Sequence, residues 1–370
     1  MKVVHLSTVH SIADSRIMEK EASALVDAGW TVVVVLPHDK DEIQHGVRIV
    51  GVDKPSNRLT RATVTAVKVA LKGLKERGDV YHFHDPELLP IGLALRTLGK
   101  TVVYDVHETH SATIAHRPYL PKWLRRPLAH IVKNLELVAA RQFSGIVAAT
   151  PAIEEQFRNI KTARVVVQNF PLLDGTDWNS RVRERNRRPV AVYMGAMSVG
   201  RGAITMVQAM GFVRSDLGVR LTLAGSITSE LLEKLRAQPG FERVNVAGRL
   251  SRPQLNEILA EASVGMVVLH PEPNYVSSFP TKMFEYMVAG LPVIASDFPL
   301  WRSIVLSNRC GLVVDPLNPS EIAQAIEYLI SHEAEAREMG QRGSDLVRRE
   351  YNWSTEREKL IAFYRRFNRN

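Results

Sequence analysis

A chain of 370 residues, 45% hydrophobic and 24% charged, is too apolar for a disordered segment and too long for one ordinary core, so two domains of about 170 to 190 residues each are expected. Cys310 is the single cysteine, which excludes an internal disulfide, and no cysteine or histidine cluster has metal-ligand spacing, so a reducing cytoplasm and no structural zinc are expected. Met1 to Ser7 is too short an apolar start for a signal peptide, no apolar run approaches a membrane span, and the net charge of +9 suits an acidic partner, whether nucleic acid, nucleotide phosphates or an anionic leaflet.

Apolar runs alternate with helical stretches from the start: a strand at 3–7, a helix from Asp14 to Asp27 stopped by Gly29, and a strand at 31–36. A helix follows in which Arg61, Lys68, Lys72 and Lys75 take one side and Val64, Val67, Leu71 and Leu74 the other. A strand at 80–84, a helix at 87–98, a strand at 101–106, a long helix at 122–143 and a strand at 145–149 continue the βαβ order. The run Tyr119-Leu120-Pro121-Lys122-Trp123-Leu124-Arg125-Arg126 adds cations and an aromatic suited to a lipid headgroup region. An ordinary solvated face explains the same charges, and both readings stand. The strands are unbroken apolar runs, as expected of parallel strands buried on both faces. Periodicity lapses between Gln168 and Pro189, which sets a first domain at 1–170 and a linker at 171–188.

Alternation resumes with strands at 190–194, 219–224, 244–247, 264–269 and 292–295, helices at 203–213, 252–262 and 282–289, and further helices from Ser320. This second domain is placed at 189–353, and the final helix, 354–370, is expected to pack back on the first domain. The whole reads as α/β: two doubly wound, Rossmann-like parallel sheets facing a central cleft at the carboxyl ends of their strands.

Two stretches carry chemistry. Gly195-Ala196-Met197-Ser198-Val199-Gly200-Arg201-Gly202 joins a strand to a helix and offers backbone N–H groups and a positive helix end to phosphates, although a tight turn alone explains its glycines. A Walker loop would need Lys and Ser or Thr where Arg201 and Gly202 stand, and no G-x-G-x-x-G follows the first strand, so an NTPase and a nicotinamide enzyme are disfavoured. In the segment from Asn274 to Ser296, Thr281 is expected to cap a helix that carries Lys282 at its start and Glu285 in its first turn. Glu285 there complements the helix dipole or accepts hydrogen bonds from ribose hydroxyls.

Phe279-Pro280-Thr281-Lys282-Met283-Phe284-Glu285-Tyr286-Met287-Val288-Ala289-Gly290-Leu291-Pro292-Val293-Ile294-Ala295 resembles the signature of the retaining glycosyltransferase family 4. The resemblance implies the GT-B fold. It also implies that Glu285 is the second of two family glutamates, the one that binds the nucleotide ribose. The first falls on Ser277, a departure that leaves backbone groups of Ser278, Phe279, Pro280 and Thr281 to hold the donor sugar. Gly195 to Gly202 looks like the family's donor-phosphate loop. Arg201 takes the lysine position, Ala196 stands where a second basic residue often lies, and Lys282 supplies the missing charge. The runs Tyr81-His82-Phe83-His84-Asp85-Pro86-Glu87-Leu88-Leu89-Pro90 and Tyr104-Asp105-Val106-His107-Glu108 resemble a subgroup that assembles lipopolysaccharide, capsule or exopolysaccharide repeats, with His84 and Asp85 on the acceptor side. His107 takes the active-site histidine position near the donor sugar's C6 hydroxyl. His10, Asp14 and Arg16 lie where other members have a glycine-rich acceptor loop, and Asp14 either caps its helix or binds a sugar.

The resemblance thus implies transfer from a UDP- or GDP-sugar to a glycan or lipid-linked acceptor with retention of configuration. Arg201, Lys282 and helix N–H groups would stabilise the leaving diphosphate, with no metal and no other cofactor. An anionic membrane surface on the cytoplasmic side is an expected partner and nucleic acid is not, because the basic residues are not interleaved with stacking aromatics. The competing readings are a membrane-surface scaffold that binds nucleotide-sugar without transfer, and an epimerase or NTPase on similar sheets.

Overall fold

The computed structural model describes residues 1–115, 121–173 and 188–368. Tyr119 and Leu120 of the basic run, and most of the expected linker, fall outside the described residues. The chain divides into two compact units, Met1–Asn169 together with Trp353–Asn370, and Phe170–Asn352.

The first unit is built on an eight-stranded sheet: β1 (Lys2–Leu6), β2 (Thr31–Pro37), β3 (Glu42–Gln44), β4 (Val47–Val52), β5 (Val80–Phe83), β6 (Thr101–Val106), β7 (Gly145–Ala148) and β8 (Ala163–Val166), in the order β3-β4-β2-β1-β5-β6-β7-β8. Only the β3–β4 pair is antiparallel. A one-sided core of Val4, Leu6, Val33, Tyr81, Phe83 and Tyr104 lies under the crossover helices. The first helix begins in the wide π form over Ser15–Ala22 and continues as α over Ser23–Asp27.

The amphipathic helix corrects the sequence reading. Ala66–Lys75 turns its small residues inward, and a Cβ on Gly73 would meet Leu6 Cδ2 at 2.6 Å, so the helix lies as close to β1 as its backbone allows. Val67 and Leu71, with Val64 in the preceding turn, face out at 50%, 57% and 53% exposed, while Val69 is buried and Leu74 packs partly against the core. The last helix, Trp353–Arg365, belongs to the first unit, where Phe363 fills the space above Gly145 and Tyr364 is buried.

The second unit carries a six-stranded, wholly parallel sheet of β9 (Val190–Met194), β10 (Arg220–Ala224), β11 (Val244–Gly248), β12 (Val264–Val267), β13 (Val293–Ser296) and β14 (Gly311–Val314), in the order β11-β10-β9-β12-β13-β14. Apolar clusters cover both faces of this sheet. Among the described residues no helix is long and apolar enough to cross a membrane.

Candidate functional site

In the second unit, β9 runs into the loop Gly195 to Gly202. Gly202 sits at φ 74° directly before the helix Ala203–Phe212, and a Cβ there would lie 2.1 Å from Val268 O, so this turn admits only glycine. Tyr286, beneath the loop, accepts a hydrogen bond of 2.7 Å from Met194 N, which fixes the end of β9 to the helix Thr281–Val288. That link sets Lys282 over the loop: a Cβ on Gly195 would be 3.3 Å from Lys282 Nζ.

Lys282 Nζ donates to Tyr193 Oη at 2.7 Å and lies 3.8 Å from that ring's centroid. Tyr193 Oη in turn donates to Ala196 O at 3.1 Å, and Arg201 Nη1 donates to the same carbonyl at 3.0 Å. Among the described residues neither Arg201 nor Lys282 is in a salt bridge. Burial, and then the Arg201 guanidinium, pull the Lys282 ammonium down to about 7, against the weaker pull of Glu285. Burial pushes the Tyr193 phenol up to about 12, so it stays neutral. Two basic side chains converge on one glycine loop, an arrangement that suits an anionic ligand.

The neighbouring expectations are partly corrected. Pro280, not Thr281, holds the N-cap position, and no side chain caps the helix. Glu285 lies beyond the first turn, too far in to complement the dipole, and Arg252 Nη1 donates to it at 3.3 Å. Ser278 is fixed through its carbonyl, which accepts from Trp301 Nε1 at 2.7 Å. Phe279 packs its ring on Phe170, Phe284 and Tyr351, so its side chain anchors the loop while its backbone alone remains for a ligand. Ser277 is exposed, with its hydroxyl donating to Pro273 O at 3.3 Å.

In the first unit the hub is Asp105, which the sequence reading did not single out. Fully buried, it accepts from Arg16 Nη2 at 3.0 Å, and its Oδ2 lies 3.0 Å from His107 Nε2 and 3.2 Å from His84 Nδ1. Burial opposes its charge, but Arg16 and then His107 outweigh that and hold the carboxyl well below its usual range. Arg16 also donates to Val167 O at 2.8 Å. Asp85 accepts from Ser7 Oγ at 2.8 Å and Thr8 N at 2.6 Å, pinning the loop after β1.

Arg16, His84 and Asp85, expected on the acceptor side, are 4%, 2% and 3% exposed, and their hydrogen bonds position the loop after β1 and His107. The partly open residues are His10, Asp14 and His107. Asp14 caps its helix through Oδ1, 3.1 Å from Ile17 N, while Oδ2 binds His10 Nδ1 at 2.6 Å. Burial works against a charged His10, but the Asp14 and Asp85 carboxylates prevail and raise it. The sequence reading found no histidine cluster, yet the sheet assembles one from His5, His82 and His84. The paired histidines of Tyr81-His82-Phe83-His84, on one face of a buried strand, were the available signal.

These geometries coincide with family comparisons. Residues 15–170 match the family described as Glycosyltransferase Family 4, and residues 188–332 match Glycosyl transferases group 1. The chain belongs to the group 1 glycosyltransferases of family 4. An alpha-D-kanosaminyltransferase of Streptomyces kanamyceticus is 22% identical over 293 residues, 74% of this chain and 72% of that one. A D-inositol 3-phosphate glycosyltransferase of Corynebacterium urealyticum is 23% identical over 359 residues, 88% and 82% of the two chains. Among solved structures, Anabaena HepE in complex with UDP and glucose superposes with a TM-score of 0.74 at 15% identity, covering 99% of this chain and all of that one. The two parallel-sheet units are those of the GT-B fold. As a group 1 glycosyltransferase the chain transfers glycosyl groups.

Proposed function

We propose that this glycosyltransferase moves a glycosyl group from a UDP- or GDP-sugar to a hydroxyl of a glycan or lipid-linked acceptor in bacterial surface polysaccharide synthesis, with retention of configuration. The observation that supports the reading is Lys282 over Gly195 with Arg201 on the neighbouring Ala196 carbonyl, neither in a salt bridge among the described residues. A diphosphate brings the missing negative charge, and the strain of holding two cations together is relieved most when the bond to the sugar breaks and the leaving oxygen gains charge. The same two cations do the work a metal would do at the diphosphate, so no metal is required for transfer. Glu285, steadied by Arg252, is the acceptor for ribose hydroxyls. In the first unit, Asp105 orients His107 as the group assigned to the donor sugar, and His10 with Asp14 forms the open edge assigned to the acceptor.

The protein acts on the cytoplasmic face of the membrane in this reading. An apolar groove of about 620 Å³, lined by Val64, Val67, Pro90 and Ile91, lies beside Lys68, and exposed Trp123 stands on the helix Lys122–Ala140, a combination suited to anionic headgroups over acyl chains. Sedimentation with phosphatidylglycerol vesicles tests it, and binding that survives Val67→Ser with Leu71→Ser would refute it.

The deciding experiment for transfer is calorimetric titration of UDP, GDP and ADP into wild type and Lys282→Met, each with magnesium and with EDTA, followed by NMR of the product anomer. Metal-indifferent binding of one diphosphate that needs Lys282, together with a retained anomer, supports the reading. Magnesium-dependent binding indifferent to Lys282, or an inverted product, overturns it.

A further inference from the structure

A second polar cluster lies sealed inside the first unit. β1 and β5 are neighbours with His5 opposite His82, and residues two apart on a strand share a face, so His5, His82 and His84 stand on one side of the sheet while Val4, Leu6, Tyr81 and Phe83 fill the apolar core on the other. The helix Ser15–Ala22 brings Glu21 to the same place, and Tyr364 reaches it from Trp353–Arg365. His5, Glu21 and His82 are completely buried, and one ligand atom from each of these and from His84 lies within 4.8 Å of all the others.

Hydrogen bonding fixes which atoms are free. The ionised Asp105 only accepts, so His84 Nδ1 carries a proton directed at Asp105 Oδ2, 3.2 Å away. With a single proton on a neutral ring, His84 Nε2 is an acceptor, and it takes the Nδ1–H of His5 at 2.9 Å. His5 Nε2 is then a bare lone pair with no hydrogen-bond partner. His82 uses Nδ1 on Tyr364 Oη at 2.6 Å, and its Nε2 has no hydrogen-bond partner, with Asp105 Oδ2 3.8 Å away. Both carboxylate oxygens of Glu21 lack hydrogen bonds, although Arg16 Nε lies 2.9 Å from Oε1. Arg16 is shared between Asp105 and Glu21, one guanidinium against two buried carboxyls, so Glu21 must either hold a proton or lie beside a further cation. Buried lone pairs and an unmatched carboxylate are costly unless a cation lies among them.

We propose that His5 Nε2, His82 Nε2 and the Glu21 carboxylate bind one divalent transition-metal ion of the Zn²⁺ class. Two imidazoles and one carboxylate form a zinc donor set, with bonds of about 2.0–2.2 Å, and leave a fourth position for a water. Closure draws the side chains inward from their ion-free spacing. The supporting contacts are in place: His84 on His5, Tyr364 on His82 and Arg16 on Glu21. The ion cross-links β1, β5 and the first helix, and through His5 and His84 it stiffens the side of Asp105 that holds His107.

The test uses the full chain without a histidine tag, expressed with added Zn²⁺, freed of loose metal by gel filtration and assayed by elemental mass spectrometry. One zinc per chain is expected. Chelator removes it with a fall in melting temperature, and Co²⁺ added to the stripped protein gives visible d–d absorption. Glu21→Gln and His82→Gln lose the stoichiometric ion. Tyr364→Phe, which keeps all three donors, weakens zinc affinity by about 10- to 100-fold and decides the matter if the other variants do not fold. Folded wild type well below one metal per chain, with no Co²⁺ spectrum, overturns the proposal and leaves Glu21 neutralised by a proton. Zinc that persists in both Glu21→Gln and His82→Gln overturns it equally.

Discussion

Lys282 offers a sharp test of the donor side because its proton is conditional. With the site empty, its ammonium titrates at about 7, pulled down first by burial and then by Arg201. At pH 8 roughly ten in eleven Lys282 side chains are therefore neutral, whereas a lysine beside a diphosphate returns toward its ordinary value of about 10.4. Binding a nucleotide-sugar at pH 8 must take up about 0.9 of a proton, against about 0.1 at pH 6. The sign follows: the bound site holds more protons than the empty one between about 7 and 10.4, so affinity falls roughly tenfold per pH unit above 7 and is flat below it. Isothermal titration of UDP-glucose and GDP-mannose in buffers of different ionisation enthalpy reads the uptake directly. The diphosphate of a nucleotide-sugar is a diester with no proton to exchange in this range. Lys282→Met abolishes the uptake and weakens binding at pH 6 most. Binding at pH 8 without proton uptake, or uptake that persists in Lys282→Met, would refute the placement of this ammonium at the diphosphate.

Asp105→Asn leaves the buried Arg16 guanidinium without its carboxylate and His107 without its ionic partner, so it is expected to destabilise by ~3–5 kcal/mol in denaturant unfolding and to lower kcat far more than donor affinity. Tyr286→Phe removes the acceptor of the Met194 N–H and costs about 1–3 kcal/mol, with weaker diphosphate binding because the Gly195 loop loses its tie to the Lys282 helix; unchanged affinity in calorimetry would show the tie to be irrelevant. Gly202→Ala must place a methyl against Val268 O from a positive φ, so loss of diphosphate binding with a lowered melting temperature is expected, and a fully active variant would contradict the turn described for this loop. Glu285→Ala is expected to weaken nucleotide binding at least tenfold while leaving inorganic pyrophosphate binding intact, since the carboxylate is assigned to ribose and not to phosphate.

The fold was legible where strands are long apolar runs, as in Val190–Met194 and Thr101–Val106, and where glycine closes a helix, as at Gly29. Short strands toward the sheet edges such as Glu42–Gln44 and Ala163–Val166 were not, because they carry too few residues to establish a period. The glycine-rich loop before the helix Ala203–Phe212 and the Lys282 helix were legible as local motifs. Asp105 was not singled out, since a lone aspartate at the end of a strand gains its meaning only when Arg16 arrives from far along the chain. The burial of Arg16, His84 and Asp85 was not legible, because sequence spacing says nothing about which polar atoms are engaged in the interior. The close approach of the helix Ala66–Lys75 to β1 was equally invisible, because it depends on Gly73 meeting Leu6 across the fold.

The first unit is interrupted in sequence, with 170–352 inserted between Asn169 and Trp353. During synthesis the inserted unit emerges whole and can fold as a continuous piece, while the sheet made first waits for Trp353–Arg365 to supply Phe363 against β7 and Tyr364 against His82. Until then its polar interior lacks one wall. The half of the protein translated first is therefore completed last, and it is the half a ribosome-bound intermediate would expose to chaperones and proteases.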